Sequence, residues 1–208
     1  MIEIEFYGAN CVKIKDKKAT IIVDDNLTEL GLKSRTNDDD ISLVTSKDIK
    51  LSKEGRFLVN CPGEYEISEI SVKGVAARAH IDEAGARATM YVVRTSGFSI
   101  AVIGHIYPEL TDEQLEELGL VDVVIIPVGG SGYTLDPIAA VKITNKLDPK
   151  IVIPTHYADT AIKYEVPQVE LGEFIKLAGT PEPETVKQLK LKESELGEKL
   201  KVIVVERT

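Results

Sequence analysis

"VDVVIIPVGGSGYTLDPIAAVKITNKLDPKIVIPTHY", residues 121–157, is the stretch on which the fold turns. "VDVVIIPV" and "KIVIPTHY" each carry a continuous apolar, β-branched run, the mark of a strand buried on both faces. Between them Asp136 can cap a helix, and Pro137 fits its first turn, where a missing N–H costs nothing. The stretch therefore reads strand, loop, helix, strand. The loop "VGGSGYTLDP" lacks the Gly-Lys-Ser/Thr ending of a nucleotide loop, so its glycines point to unusual backbone angles.

Upstream the chain is rich in strands. "IEIEFYG", "NCVKIKD" and "ATIIVDD" alternate or run apolar, broken at Gly8-Ala9 and at Asp16-Lys17-Lys18 like a meander of hairpins. "RFLVNCPGEYEISEISVKGVAARAH" adds strands punctuated at Pro62-Gly63, and "ATMYVVRTSGFSIAVIGH" adds a hairpin turning at Ser96-Gly97. In "LTDEQLEELGL", Thr111 and Gln114 form a capping box and Gly119 closes a short helix, with Leu115 and Leu118 turned inward. The tail reads as a helix around Val169 to Ala178, a polar surface segment at "TPEPET", and a last strand "LKVIVVER". "NDDDIS" lacks the alternating acids and final glutamate of a calcium loop and reads as a solvated turn. Two strand-rich blocks with helices between and after them suit two stacked sheets with helices outside.

Composition narrows the function. A length of 208 residues with 43% hydrophobic content suits one domain, 1–208, with one substantial core. A formal net charge of -9 is a poor match to a nucleic-acid backbone. No run approaches the roughly 18 apolar residues of a membrane span, and "MIEIEFYG" reads as a strand, so the expected location is cytoplasmic. Cys11 and Cys61 lack CxxC spacing and are expected as free thiols.

The stretches "YGANCVKI", "TIIVDD", "CPGEYEI", "IGHIYPELTDEQLEELG" and "VDVVIIPVGGSGYTLDPIAA" through "PKIVIPTHY" carry a resemblance. In this order the chain resembles the metallo-β-lactamase fold superfamily, in particular its small bacterial branch of Zn-dependent hydrolases similar to ascorbate-6-phosphate lactonases. The resemblance implies an α/β fold, a four-layer αββα sandwich. It also implies a cleft at the strand ends.

What it implies about metal is mixed. The family's His-x-His-x-Asp-His loop falls on Ser46, Asp48, Lys50 and Leu51, none of them histidine. Yet the chain's three histidines all fall at or near family ligand positions. His80 lies on the strand before the central hairpin, His105 stands in place of a bridging aspartate, and His156 matches the last ligand. Asp48, His80 and His105 would make a three-ligand set for one metal, zinc by preference, with His156 belonging to a second position. Lys50 opposes that second metal, since a unit positive charge ~4 Å from a divalent ion costs about 8 kcal/mol at an effective dielectric of ~20. Ser46, Lys50 and Asp24 complete the expected cleft, with Asp24 supporting loop geometry, and Ala9 marks a further lost polar position. Asp48 set against Lys47 and Lys50 predicts a cleft near electrical balance.

Two functions follow as expectations. One is a protein with a degenerate metal site and no catalysis, binding a small, perhaps anionic ligand around Lys50 or acting as a scaffold. The other is a mononuclear metal-dependent hydrolase of an ester, lactone or phosphoester. A Ser46–Lys50 nucleophile pair is a weaker option, because serine and lysine at such spacing are common.

Overall fold

The structure, a computed structural model, describes residues 1–80, 87–180 and 182–208. Its elements in chain order are β1 (Ile2–Gly8), β2 (Cys11–Lys15), β3 (Thr20–Val23), β4 (Ile41–Leu43), β5 (Phe57–Val59), β6 (Gly63–Ile67), β7 (Ile70–Ala77), β8 (Ala88–Thr95) and β9 (Phe98–Val102). Then come α1 (Asp112–Leu118), β10 (Val123–Pro127), α2 (Pro137–Leu147), β11 (Ile151–Thr155), α3 (Leu171–Ala178), β12 (Glu184–Val186), β13 (Leu189–Leu191) and β14 (Lys201–Val205). They form a six-stranded sheet, β13-β1-β2-β3-β4-β5, and an eight-stranded sheet, β12-β14-β11-β10-β9-β8-β7-β6. The fold is α/β, with two stacked sheets and three helices, as expected.

Strand alternation builds the layers. Val123 and Ile125 of β10, with Tyr91 and Val93 of β8, face the six-stranded sheet and meet Ile4, Ile14, Ile21 and Leu43 there. The intervening Val124, Ile126, Met90 and Val92 point the other way, onto Leu118 of α1, Ile143 of α2 and Phe174 of α3. A strand buried on both faces therefore reads as an unbroken apolar run. Each such side chain contributes roughly 1.5–3 kcal/mol by leaving water. The outer face of the six-stranded sheet instead buries Tyr7, Cys11 and Ile22 under Leu27 and Leu32, which lie in turns.

The helix starts are as local chemistry dictates. Thr111 accepts from the Gln114 amide while Gln114 reaches back to the Thr111 amide, and Asp136 accepts from the Ala139 amide with Pro137 next to it. The third helix begins at Leu171, two residues later than expected. Val169 is held out of it because its N–H donates to the Gly129 carbonyl at 2.8 Å and its own carbonyl accepts from Ala158 at 3.0 Å. Within "TPEPET", Glu184 and Thr185 are surface residues but enter β12, paired parallel with β14, while Pro181 lies outside the described residues. Both cysteines are free, Cys11 buried and Cys61 exposed. No described helix is long and apolar enough to cross a membrane.

Parallel pairing fixes where the loops gather. β9, β10 and β11 run parallel in one sheet and β3 and β4 in the other, so the segments after them leave from shared sheet ends. Such carboxyl ends are where open α/β sheets place ligands.

Candidate functional site

A cavity of about 130 Å³ opens at these strand ends, lined among others by Asn10, Asp24, His105, Tyr133, His156 and Tyr164. Its floor is backbone in rare conformations. Ala9, Asp24 and His156 have φ of 49°, 45° and 55°, in the left-handed region that side chains disfavour. Non-glycine residues held this way persist only where surrounding structure fixes them, and they gather at functional sites. Here the fixing contact is the His156 N–H, which donates to the Ala9 carbonyl at 2.7 Å and ties the end of β11 to the β1–β2 turn.

His105 follows β9 through Gly104, and the approach there needs glycine: a Cβ would lie 2.4 Å from the Thr45 Cβ. The His105 ring meets that of His156 edge to face, with centroids 4.7 Å apart, and that of Tyr133 at 5.2 Å. The His156 ring in turn lies 4.9 Å from the Tyr164 ring. Burial, followed by the neighbouring His156, holds the His105 imidazole well below the usual histidine range. Burial brings His156 down to about 4, against an opposing hydrogen bond with Gln168. Both rings are neutral at pH 7.

The tautomers follow from the partners. Gln168 donates its Nε2 to the Val166 carbonyl, so its Oε1 accepts from the His156 Nδ1 at 3.1 Å and leaves the His156 Nε2 with a lone pair. His80 Nδ1 lies 3.2 Å from the Ile106 carbonyl, an acceptor only, and so carries the proton. The His105 Nδ1 is buried with no hydrogen-bond partner.

Asp24 is a clamp. One carboxylate oxygen accepts from the Thr45 N–H at 2.8 Å; the other accepts from the Thr45 hydroxyl at 2.6 Å and from Asn10 Nδ2 at 2.7 Å. Asn10 passes the link on by accepting from the Thr155 hydroxyl at 2.8 Å. Burial raises the Asp24 carboxyl to about 6, with these donors pulling the other way.

The positions expected of the lost ligand loop divide between two sides of the chain. Ser46, Asp48, His80 and His105 line a second, small cavity of about 30 Å³ beside the first, with Tyr133 common to both. His80 is joined to His105 directly, its N–H donating to the His105 carbonyl at 3.0 Å. Asp48 is 54% exposed and lies 3.8 Å from Arg87. Lys50 and Leu51, expected in the cleft, line a separate groove with Lys47, Leu58 and Cys61. The half-buried Ile49 borders both cavities and the groove, Ser46 borders the small cavity and the groove, and the exposed Lys50 borders the groove alone.

That placement overturns the expected charge balance. Asp24, Glu29, Asp48 and Glu165 line the larger cavity against Lys163, whose stem packs on Gly31. The Tyr133 phenol reports the resulting field: burial pushes it up first, then Glu165, Asp24, Asp48 and Glu29 push further. Among the described residues no group of three or more His, Cys, Asp or Glu is placed to hold a metal ion.

Sequence reading missed Asn10, Tyr133, Tyr164 and Gln168 as cavity residues. Asn10 and Tyr133 sit in stretches already singled out, "YGAN" and "GSGYT". Tyr164 and Gln168 come from the irregular segment between β11 and α3, which carries no motif.

A profile of the β-lactamase superfamily domain matches residues 3–156. Among solved structures, a candidate Zn-dependent hydrolase of the metallo-β-lactamase superfamily from Thermotoga maritima is 26% identical, with a TM-score of 0.76 over 99% of each chain. A metallo hydrolase from Ignicoccus hospitalis is 18% identical, with a TM-score of 0.64 over 99% of this chain and 95% of its own. A candidate metal-dependent hydrolase from Parabacteroides distasonis is 18% identical, with a TM-score of 0.61 over 97% and 92%. These last two speak for the fold alone. No curated protein matches the chain.

Proposed function

The chain belongs to the β-lactamase superfamily, and from that membership we propose a protein that binds a small ligand in the strand-end cleft and does not carry out metal-dependent hydrolysis. One observation carries the reading: the loop that supplies the family's ligands offers Ser46, Asp48, Lys50 and Leu51, with no histidine, and among the described residues no group of three or more His, Cys, Asp or Glu is placed to hold a metal ion. Asp24 holds Thr45 and Asn10, His156 Nδ1 is tied to Gln168, and His80 Nδ1 to the Ile106 carbonyl. The neutral rings of His105 and His156 pack against each other and serve as walls of a cavity. A cavity of about 130 Å³ is small beside the roughly 300–1,000 Å³ of drug-sized sites, which suits a ligand of few atoms.

A second reading has one observation in its favour. Asp48, His80 and His105 line the same small cavity, the trio on which a mononuclear hydrolase would depend. The similarity to a candidate Zn-dependent hydrolase from Thermotoga maritima supports it.

Metal analysis of protein purified without chelator, followed by calorimetric titration with zinc and an assay on simple esters and phosphoesters, separates the two. The binding reading expects metal well below one equivalent and no zinc-dependent hydrolysis. One equivalent of zinc together with zinc-dependent turnover would replace it with the second reading.

A further inference from the structure

We infer that the strand-end cleft is a site for a small organic cation bearing N–H donors, such as a primary ammonium. The inference rests on the binding reading above and supplies its ligand class. Three independent features of the same cavity converge on it.

The walls come first. Four rings, those of His105, Tyr133, His156 and Tyr164, line the cavity. Aromatic walls attract cations through the negative faces of the rings, most strongly where water is displaced.

Charge is the second feature. Asp24 lies in the lining and Glu29, Asp48 and Glu165 around it, with Lys163 in the lining and Arg87 beside Asp48 as the opposing charges. A cleft lined by one sign of charge concentrates ligands of the other. This reverses the anionic ligand expected around Lys50, because Lys50 faces the neighbouring groove.

The third feature is a buried polar atom without a partner. His105 is 9% exposed, lines both cavities, and its Nδ1 has no hydrogen-bond partner among the described residues. A buried polar atom without a partner costs free energy; with its proton on Nε2 the His105 Nδ1 is an acceptor, and a ligand N–H that reaches it as the ring shifts on binding would relieve that cost. Quaternary ammonium ions cannot do this, and carboxylates bring the wrong charge.

The test is calorimetric titration of the full-length protein, its metal content first measured, with propylammonium, tetramethylammonium and propionate. Propylammonium is expected to bind saturably, tetramethylammonium about tenfold more weakly because it has no N–H to donate, and propionate not at all. Glu165→Gln and Glu29→Gln, both at exposed positions that keep the fold, are each expected to weaken propylammonium severalfold. Propionate binding in preference to propylammonium would overturn the cation assignment and leave the binding reading standing. Saturation by neither would overturn the inference, as would propylammonium affinity indifferent to both substitutions. One equivalent of zinc in the starting protein with zinc-dependent turnover would instead show that the binding reading beneath it had failed.

Discussion

The imidazoles of His105 and His156 meet edge to face, with centroids 4.7 Å apart and planes at 87°. This contact joins the loop after β9 to the end of β11, and both rings are buried. Two adjacent imidazoles cannot both charge at little cost there. The contact therefore stores a pH response.

The sign of that response can be worked out. His156 falls from 6.5 to about 4 on folding, so its contribution to stability is complete above pH 6.5 and is lost as pH falls toward 4, a change of about 3 kcal/mol. His105 acts in the same direction. Asp24 opposes them: its carboxyl rises from 3.8 to about 6, so the native state takes up that proton first and gains stability between pH 6 and 4. Net loss on acidification is expected. His156→Asn does not titrate and tolerates the left-handed φ of 55° at this position. Its unfolding free energy from urea titration should fall less steeply between pH 6.5 and 4 than that of the parent, and equal slopes would refute the account.

Removing the Asp24 carboxylate should be costly at neutral pH. Asp24→Ala leaves the Thr45 N–H, the Thr45 hydroxyl and the Asn10 amide without their acceptor. A loss of about 3–4 kcal/mol is expected from urea unfolding. A loss under about 1 kcal/mol would mean that the clamp is not a structural element.

Two glycines should differ although both have positive φ. At Gly104, φ is 66° and a Cβ would sit 2.4 Å from the Thr45 Cβ, whereas at Gly132, φ is 72° and nothing lies within 4 Å. Gly132→Ala is expected to cost about 1 kcal/mol in backbone strain, and Gly104→Ala about 2–4 kcal/mol because packing is added to it. Thermal unfolding of the two variants side by side checks this, and equal losses would contradict it.

Rebuilding the family's ligand loop gives a test of side-chain direction. Asp48 borders the small cavity with His80 and His105, Ser46 borders both that cavity and the groove, and Lys50 and Leu51 border the groove without reaching the cavity. The double variant Ser46→His, Asp48→His should therefore gain zinc affinity to within about threefold of a quadruple variant that adds Lys50→Asp and Leu51→His. Lys50→Ala alone should change zinc affinity by less than about twofold, because its exposed charge is screened. A gain confined to the quadruple variant, read by calorimetry, would place Lys50 and Leu51 in the cleft after all.

Much of the fold is legible along the chain because its causes are local. Alternation in "IEIEFYG", continuous apolar character in "VVIIP", the Thr111–Gln114 capping box and the Asp136-Pro137 start are set by near neighbours, and each recurs in the structure. The free thiols of Cys11 and Cys61 agree as well. The weak cases are short or tied to distant backbone. β12 and β13 have three residues each in polar surroundings, and Val169 leaves α3 for a hydrogen bond to Gly129, 40 positions away.

The sequence by itself determined the alternating strands, the helix starts and the scarcity of imidazoles at the family's ligand positions, because each depends on residue type and short-range spacing. Only the tertiary structure decided on which side of the chain Lys50 lies, and that Tyr164 and Gln168 join His105 and His156 at the cavity. The direction of a loop side chain depends on which neighbour can be buried beneath it. Here Ile49 borders cavity and groove alike, Lys50 lines only the groove, and four carboxylates surround the cleft with Lys163 and Arg87 as opposing charges.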